Sequence, residues 1–223
     1  FWALVCVGNT RPSVTPLRIE EKPVIDGVLN DAEWERATRI TDFGQVEPRE
    51  GETPTERTEV RVMMTDEALY LGVICFDRTP AGVLARDRRR DSTGSGDDRL
   101  RIVIDPFARG TEGYFFGIAA GGGLGDGIVR AGNRPEMEWD CIWNAKTLVT
   151  KEGWIAEVDI PFRSISFEPE QESWGFNVER VIRRKEEKLR WASATRKKSL
   201  YSLEGAGRIT GMRDLKTGLG LDV

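Results

Sequence analysis

The chain has 223 residues, and 33 Lys and Arg stand against 37 Asp and Glu, which gives a formal net charge of −4. This mixed charge provides no general attraction to nucleic acid or anionic lipid, so no nucleic-acid partner is expected. The sequence contains no histidine, which excludes Ser-His-Asp and Cys-His nucleophiles, His-ligated zinc and His-ligated haem.

The chain begins with a short apolar run, residues 1–8. This run is too short to span a membrane, and no later segment reaches that length, so we expect no membrane span within the chain. We assign residues 1–15 either to the remnant of a signal peptide or to an N-terminal extension with an ordinary edge strand. The signal-peptide interpretation predicts an exported protein of the periplasm, the outer membrane or the extracellular space.

Residues 30–37 predict one short helix. Asn30 or Asp31 can cap it, and acidic residues fall in its first turn. Trp34 lies in this helix, and we expect it to plug one end of the fold because tryptophan buries a large apolar surface.

From residue 59 onward the hydrophobic pattern has a period of two. Residues 59–64 place Val60, Val62 and Met64 on one face, and residues 69–76 are apolar on both faces, which indicates a central strand. Further strands are predicted over residues 99–105, 113–119, 145–150, 154–160, 176–184 and 189–194. Short strands at this spacing predict an all-β, two-layer antiparallel sandwich of jelly-roll type, with one or two short helices.

Turn signals separate these strands. Residues 65–68 predict a hairpin turn, and residues 161–165 predict a single helical turn after a strand. Residues 121–127 are rich in glycine, but no Lys-Ser or Lys-Thr pair and no helix follows them. We therefore interpret this segment as a flexible hairpin turn and not as a phosphate-binding loop.

Five motifs follow one another along the chain and are closed by Trp191. They are residues 23–34 (PVIDGVLNDAEW), 69–73 (LYLGV), 98–105 (DRLRIVID), 153–162 (GWIAEVDIPF) and 174–180 (WGFNVER). In this order they resemble the family 9 carbohydrate-binding module, over about residues 23–195. The resemblance implies a β-sandwich domain over residues 16–205 that is not an enzyme and that binds an oligosaccharide or polysaccharide.

Two further segments carry a second resemblance. Residues 139–143 (WDCIW) and 180–184 (RVIRR), followed by Glu187, are similar to a bacterial outer-membrane family of unknown function 5916. Members of that family carry the module ahead of a predicted C-terminal outer-membrane β-barrel. The resemblance implies that residues 206–223 lead toward such a barrel. It also supplies an alternative function, an interaction or plug domain for the barrel with no sugar site.

A sugar site needs an exposed aromatic ring and a few fixed polar groups. Trp139 follows a loop-like segment, so we expect it to be the stacking platform, the alternative being a packing role in the core. The polar candidates are Arg130, Glu136 and Asp140, which are near in sequence, and Asn177 and Arg180, which match family positions.

The chain departs from the family pattern at two places. Residues 91–96 contain no aromatic residue where sugar-binding members have one, and Arg101 stands where they have a sugar-binding Glu. With one stacking face at most, we expect weak binding of roughly millimolar affinity, or about −4 kcal/mol.

The resemblance also implies calcium. Calcium prefers several oxygen ligands, and the candidates are Asp97, Asp98, Asp105 and Asp126, the alternative being ordinary solvated turn residues. Two other functions stay open as minor alternatives. One is a haem site that uses Met63, Met64, Met137 or Met212 with a lysine, and the other is a glycosidase, which needs two carboxylates across a cleft.

Overall fold

The computed structural model describes residues 11–90, 92, 95–130 and 132–216. Strands make up 42% and helices 8% of these residues, and the strands form two sheets. The prediction of an all-β sandwich is therefore confirmed. Residues 1–10 of the predicted N-terminal segment and residues 217–223 of the predicted tail lie outside the described residues.

The larger sheet has eight strands among the described residues. They are β1 (Ser13–Val14), β4 (Gly44–Glu47), β7 (Arg99–Asp105), β8 (Glu112–Ala119), β9 (Leu124–Arg130), β12 (Ser173–Ile182), β13 (Glu187–Arg190) and β14 (Gly207–Thr210). Their order is β1-β14-β12-β7-β8-β9, and β13 pairs with both β12 and β4. Strands β1 and β14 lie outside the predicted domain range of 16–205, so the sandwich extends beyond it.

The smaller sheet has six strands in the described part of the chain. They are β2 (Leu17–Arg18), β3 (Thr38–Ile40), β5 (Thr58–Met64), β6 (Ala68–Phe76), β10 (Asn144–Thr150) and β11 (Gly153–Pro161). Their order is β10-β11-β6-β5-β2, so β6 lies centrally as its two apolar faces predicted. The pairs β1–β14 and β2–β5 are parallel, and the other described pairs are antiparallel.

Helical structure is limited to short segments. The α-helix α1 covers Ala32–Arg36, and 3-10 helices cover Pro80–Gly82, Phe162–Ser164, Arg183–Lys185 and Leu203–Gly205. Asp31 stands at the N-cap of α1, but its side chain accepts a hydrogen bond from the Val24 amide at 3.1 Å and none from α1. No helix of the described residues has the length and apolar character that a membrane span requires.

The main core lies between the two sheets. Val60, Val62 and Met64 of β5 all face it, as the alternation predicted, and Trp154 and Trp174 are fully buried in it. The physical reason is that successive strand side chains point to opposite faces, so every second residue enters the core.

Trp34 is fully buried, as expected, but it does not plug an end of the sandwich. It packs with Met63 and Tyr70 on the outer face of the smaller sheet. A Cβ atom on Gly72 would lie 2.9 Å from the indole, so the missing side chain of Gly72 makes room for the ring. The indole Nε1 donates a hydrogen bond to Glu157 Oε1 at 3.0 Å.

The glycine-rich segment is only partly a turn. Gly125 and Gly127 belong to β9, so the predicted hairpin turn is shorter than expected. A Cβ atom on Gly127 would lie 2.7 Å from the Glu136 carbonyl oxygen, and one on Gly125 would lie 3.1 Å from the Ser92 carbonyl oxygen. These glycines therefore allow two loops to lie against the edge strand β9. The sequence pattern by itself does not distinguish glycines of this kind from glycines that form a turn.

Candidate ligand-binding cleft

The outer face of the larger sheet carries a polar floor. In β7, Leu100 and Ile102 face the core, so the alternation directs Arg99 and Arg101 to the opposite face. Gly117 of β8 pairs directly with Arg101 and has no side chain. The ring of Phe115 extends over Gly117, with its Cζ 3.1 Å from where a Cβ atom would stand, and the space beside this ring above the β7–β8 floor is open.

A cleft of about 330 Å³ occupies this space. Its lining residues are Arg99, Arg101, Phe115, Arg134, Pro135, Met137 and Tyr201. Tyr201 meets Phe115 edge to face, with ring centroids 5.9 Å apart and an interplanar angle of 73°. The volume is at the lower end of the range for ligand pockets, so the cleft suits a small group or the end of a longer ligand.

A buried carboxylate organises one side of the cleft. Glu179 of β12 pairs directly with Arg101 of β7 and with Arg190 of β13. Its Oε2 accepts hydrogen bonds from Arg190 Nη2 at 2.5 Å and from Arg190 Nε at 3.0 Å, and its Oε1 accepts one from Arg101 Nη2. The side chain of Glu179 is fully buried, so this ion pair fixes the Arg101 guanidinium beside the cleft.

Positive charge accumulates along this face. Burial lowers the pKa of Arg99, and the nearby positive charge of Arg101 lowers it further, whereas Tyr201 and Asp97 act in the opposite direction. Burial likewise lowers the pKa of the Arg190 guanidinium to about 10. Arg134 is exposed at the rim, and none of the described residues that line the cleft is acidic.

Trp139, the predicted platform, lies outside the lining of this cleft. It is half-buried, packs against the main core, and tilts against Tyr114 with ring centroids 4.9 Å apart at 38°. Part of its surface therefore serves packing, as the alternative interpretation proposed. A ligand contact through the exposed part stays a prediction.

The three polar candidates near Trp139 in sequence are exposed. The Asp140 side chain is 76% exposed, and its Oδ1 lies 3.4 Å from Arg90 Nη2. Arg130 forms a close ion pair with Glu136, and both side chains are about half exposed. These residues are accessible to a ligand, but the structure does not include them in the cleft lining.

Asn177 serves the fold. It is buried, its Nδ2 donates a hydrogen bond to the Ala192 carbonyl at 3.0 Å, and its Oδ1 accepts one from the Ala192 amide at 3.0 Å. This pair of bonds holds the chain after β13 against β12. Both polar groups of the Asn177 side chain are thus used in the fold, which explains its place in the motif without a ligand.

Arg180 also serves the fold. It is fully buried, and its guanidinium donates hydrogen bonds to the Arg57 carbonyl at 2.9 Å and to the Phe76 carbonyl at 2.8 Å. These contacts bridge β12 of the larger sheet to the smaller sheet. The structure therefore does not bring Asn177 and Arg180 to Trp139 as one exposed site, because both side chains are buried.

The four predicted calcium ligands do not form one cluster. Asp98 immediately precedes β7 and Asp105 ends it, so the two residues lie about 23 Å apart at the usual rise per residue of a strand. Each carboxylate instead accepts hydrogen bonds from its own neighbours. Asp97 accepts them from the Arg86 and Asp87 amides, and Asp98 accepts one from the Arg183 amide. Asp105 accepts them from the Phe107 and Gly110 amides, and Asp126 accepts them from the Cys141 amide and the Trp143 indole. In the described part of the chain, no three acidic or Cys side chains are placed to hold a metal. The arrangement suits carboxylates that bind backbone amides, and it does not suit four ligands of one shared calcium ion.

The methionines of the haem alternative occupy packing positions. Met64 and Met212 are buried in the main core, and Met63 is buried beneath Trp34. Met137 is half-buried in the wall of the cleft. None of these positions points to a haem ligand.

Sequence reasoning missed most residues of the cleft, namely Arg99, Arg134, Met137, Tyr201 and the supporting Glu179. One signal was available, because Arg99 and Arg101 alternate with Leu100 and Ile102 and must share a face of β7. Tyr201 carries no such signal, since it comes from a loop about a hundred residues further along the chain.

Three solved structures share this architecture. A family 9 carbohydrate-binding module from Caldicellulosiruptor kristjanssonii in complex with cellotriose is 18% identical, with 96% of this chain and 97% of that chain covered and a TM-score of 0.58. A family 9 module from the same organism in complex with glucose is 15% identical, with 95% and 100% covered and a TM-score of 0.62. A proposed carbohydrate-binding protein from Bacteroides uniformis is 10% identical, with 90% and 99% covered and a TM-score of 0.67.

The comparisons agree on the fold. At these identities the likeness shows the family 9 module fold over nearly the whole chain, as the order of the sequence motifs predicted. No protein-family model and no curated protein matches the chain. The likeness to family 5916 stays a prediction.

Proposed function

We propose that this domain is a non-catalytic carbohydrate-binding module that holds a glycan in the cleft on the outer face of the larger sheet. One observation carries the proposal, the convergence of the Tyr201 ring with Arg101 and Arg134 around an open cleft. The fold supports it, because similar structures are modules in complex with cellotriose and with glucose.

Each lining group has a distinct role in this proposal. The Tyr201 ring provides the apolar face on which sugar C–H groups stack, and its edge contact with Phe115 limits its motion. Glu179 holds Arg101 in one orientation, so little side-chain freedom is lost when a ligand binds. Arg134 is exposed at the rim and donates hydrogen bonds to sugar oxygens.

The size of the cleft sets the expected affinity. A volume of about 330 Å³ accommodates the end of a glycan. Because a single tyrosine offers one stacking face, we expect weak binding, roughly millimolar, or about −4 kcal/mol.

The proposal is tested by protein NMR titration with a panel that includes glucose, cellotriose and longer neutral and charged oligosaccharides. We expect binding shifts at Arg101 and Tyr201, and Tyr201→Ala should weaken binding at least about tenfold, by 1.4 kcal/mol or more. Ile142→Ala is the matched control, because its side chain is 73% exposed and outside the cleft. Binding lost with Trp139→Ala and kept with Tyr201→Ala would place the site at Trp139, and no binding to any glycan would refute the proposal.

We also propose that the domain acts outside the cytoplasm, on the basis of the apolar run at residues 1–8, which lies outside the described residues.

The second candidate function is an interaction domain for an outer-membrane barrel. Exposed apolar side chains at and near the edge strand β10 support it, namely Ile142 and, on opposite faces of the strand, Leu148 and Val149. Fractionation of producing cells tests both proposals. Recovery in the cytosol would contradict export, and recovery in a soluble periplasmic or extracellular fraction would contradict the barrel partner.

A further inference from the structure

We infer that the glycan held in this cleft is acidic, a saccharide that bears carboxylate or sulfate groups. This inference rests on the proposed glycan-binding function and specifies its ligand class. It follows from the charge and the hydrogen-bonding capacity of the lining residues.

The residues that line the cleft carry positive charge. Three of the seven lining residues are arginines, and none is acidic among those the structure describes. Glu179 is the carboxylate beneath the cleft, and its single negative charge is shared between Arg101 and Arg190. One carboxylate cannot neutralise two guanidinium groups, and the exposed Arg134 adds a further positive charge at the rim. The face therefore carries positive charge that an anion can balance.

The lining residues also select the ligand by the hydrogen bonds that they can form. A guanidinium has five N–H donors and no acceptor, so Arg99, Arg101 and Arg134 can only donate. The hydroxyls of a neutral sugar both donate and accept. Among the lining side chains that the structure describes, only the Tyr201 hydroxyl oxygen can accept from them, and it already accepts a hydrogen bond from Arg101 Nη1 at 3.4 Å. A carboxylate or sulfate only accepts, and it matches the planar fork of an arginine in bidentate geometry.

The floor of the cleft, formed by Arg99 and Arg101 of β7, is held in place before a ligand arrives. The backbones of Arg99 and Arg101 belong to the central part of the larger sheet, and Glu179 orients the Arg101 head group. Arg134 stands at the exposed rim and can close on the outer side of the ligand. A fixed donor beneath and an exposed donor above suit a charged group carried at the end of a sugar chain.

The experiment compares trisaccharides by calorimetry at low salt: trigalacturonate, a sulfated trisaccharide, and neutral cellotriose, with inorganic phosphate as a separate probe. We expect at least one acidic sugar to bind about tenfold more tightly than cellotriose, and its affinity to fall as sodium chloride rises from about 50 to about 500 mM. Preference for the uronate or for the sulfated sugar identifies the acidic group, and both results support the inference.

The variants locate the effect. Arg134→Gln should weaken acidic-sugar binding several-fold and leave neutral-sugar binding almost unchanged, because its exposed side chain does not support the fold. Arg213→Gln is the matched control, an exposed arginine outside the cleft lining, and should change neither. Arg99→Gln is a second test within the floor, with circular dichroism to check that it folds.

Three outcomes would overturn the inference. Equal or tighter binding of cellotriose would show a neutral ligand, and the proposed glycan-binding function would stand. Phosphate binding as tight as that of the acidic sugars would show a simple anion site. Failure of every sugar to bind would remove both the inference and the proposed function.

Discussion

Glu179 of β12 lies directly opposite Arg101 of β7, and its buried carboxylate is shared by Arg101 and Arg190. The buried ion pair between Glu179 and Arg101 stabilises the larger sheet, and it also orients the Arg101 guanidinium in the cleft. A carboxylate placed between two cationic strand neighbours compensates their charges only while it stays ionised and in register.

Replacement of Glu179 by Gln should therefore destabilise the fold strongly. It leaves Arg190 and Arg101 without their shared counterion, and breaking such a buried pair costs about 3–5 kcal/mol. Urea unfolding measures the free energy of unfolding. Glu136→Gln is the matched control, because Glu136 pairs with Arg130 on the surface, where the loss is about 1 kcal/mol or less. Equal losses in the two variants would contradict the structural role of Glu179.

Removal of the buried indoles should be costly at two separate places. Trp34→Ala and Trp174→Ala should each lower the free energy of unfolding by about 3–5 kcal/mol, because both side chains are fully buried and leave large cavities. Thermal or urea unfolding checks this. Ile142→Ala, at an exposed position, should change stability by no more than about 0.5 kcal/mol. A loss below about 1 kcal/mol for either tryptophan would show that its site is not closely packed.

The contact between Trp34 and Gly72 gives a sharper test of the outer face of the smaller sheet. In Gly72→Ala the new Cβ would lie 2.7 Å from Leu29 Cδ2 and 2.9 Å from the Trp34 ring, so we expect a loss of about 1–3 kcal/mol from overpacking. Gly96→Ala is the matched control, since no described residue lies within 4 Å of its Cβ position. If Gly72→Ala were as stable as Gly96→Ala, Trp34 could not lie on this strand.

Asp77 should make stability depend on pH. Burial by itself would raise the pKa of Asp77, but hydrogen bonds from Arg184 at 2.6 and 2.7 Å and from the Thr79 amide outweigh it and hold the pKa below the ordinary 3.8. A lowered folded-state pKa means that the stabilisation is present above 3.8 and is lost as the pH falls through the folded value. Asp77→Asn should therefore destabilise the fold clearly at pH 7, and this loss should shrink as the pH falls below 3.8 toward the folded-state pKa, as measured by urea unfolding.

Asp98 is the matched control with the opposite sign. Burial raises its pKa, and its Oδ2 has no hydrogen-bond partner among the residues that the structure describes. A raised folded-state pKa means that its contribution is present below 3.8 and is lost as the pH rises through the folded value. Relative to the wild type, Asp98→Asn should gain stability as the pH rises from 3 to 7. The same trend in both variants would contradict the assigned environments.

The sequence by itself determined most of the long strands and their inner faces, but it did not predict β2, β3, β4, β9 or β14. The alternation of Val60, Val62 and Met64, and the two apolar faces of β6, follow from the two-residue period of a strand, and that period acts locally. The order of motifs also predicted the module fold. Turn-forming residues were less informative. Gly125 and Gly127 lie in β9, where the absence of a side chain makes room for one loop that precedes β9 in the sequence and one that follows it.

Only the tertiary structure decided which polar residues are free to meet a ligand. Asn177 and Arg180 have the residue types of a sugar site, yet the side chain of each is buried and donates hydrogen bonds to backbone carbonyls that the folded chain brings to it. Conversely, the cleft joins Arg101 to Tyr201 across a hundred residues of sequence. The physical reason is that strand periodicity is a property of neighbouring residues, whereas the hydrogen-bond partners of a buried polar side chain come from strands and loops that meet only when the sheets assemble.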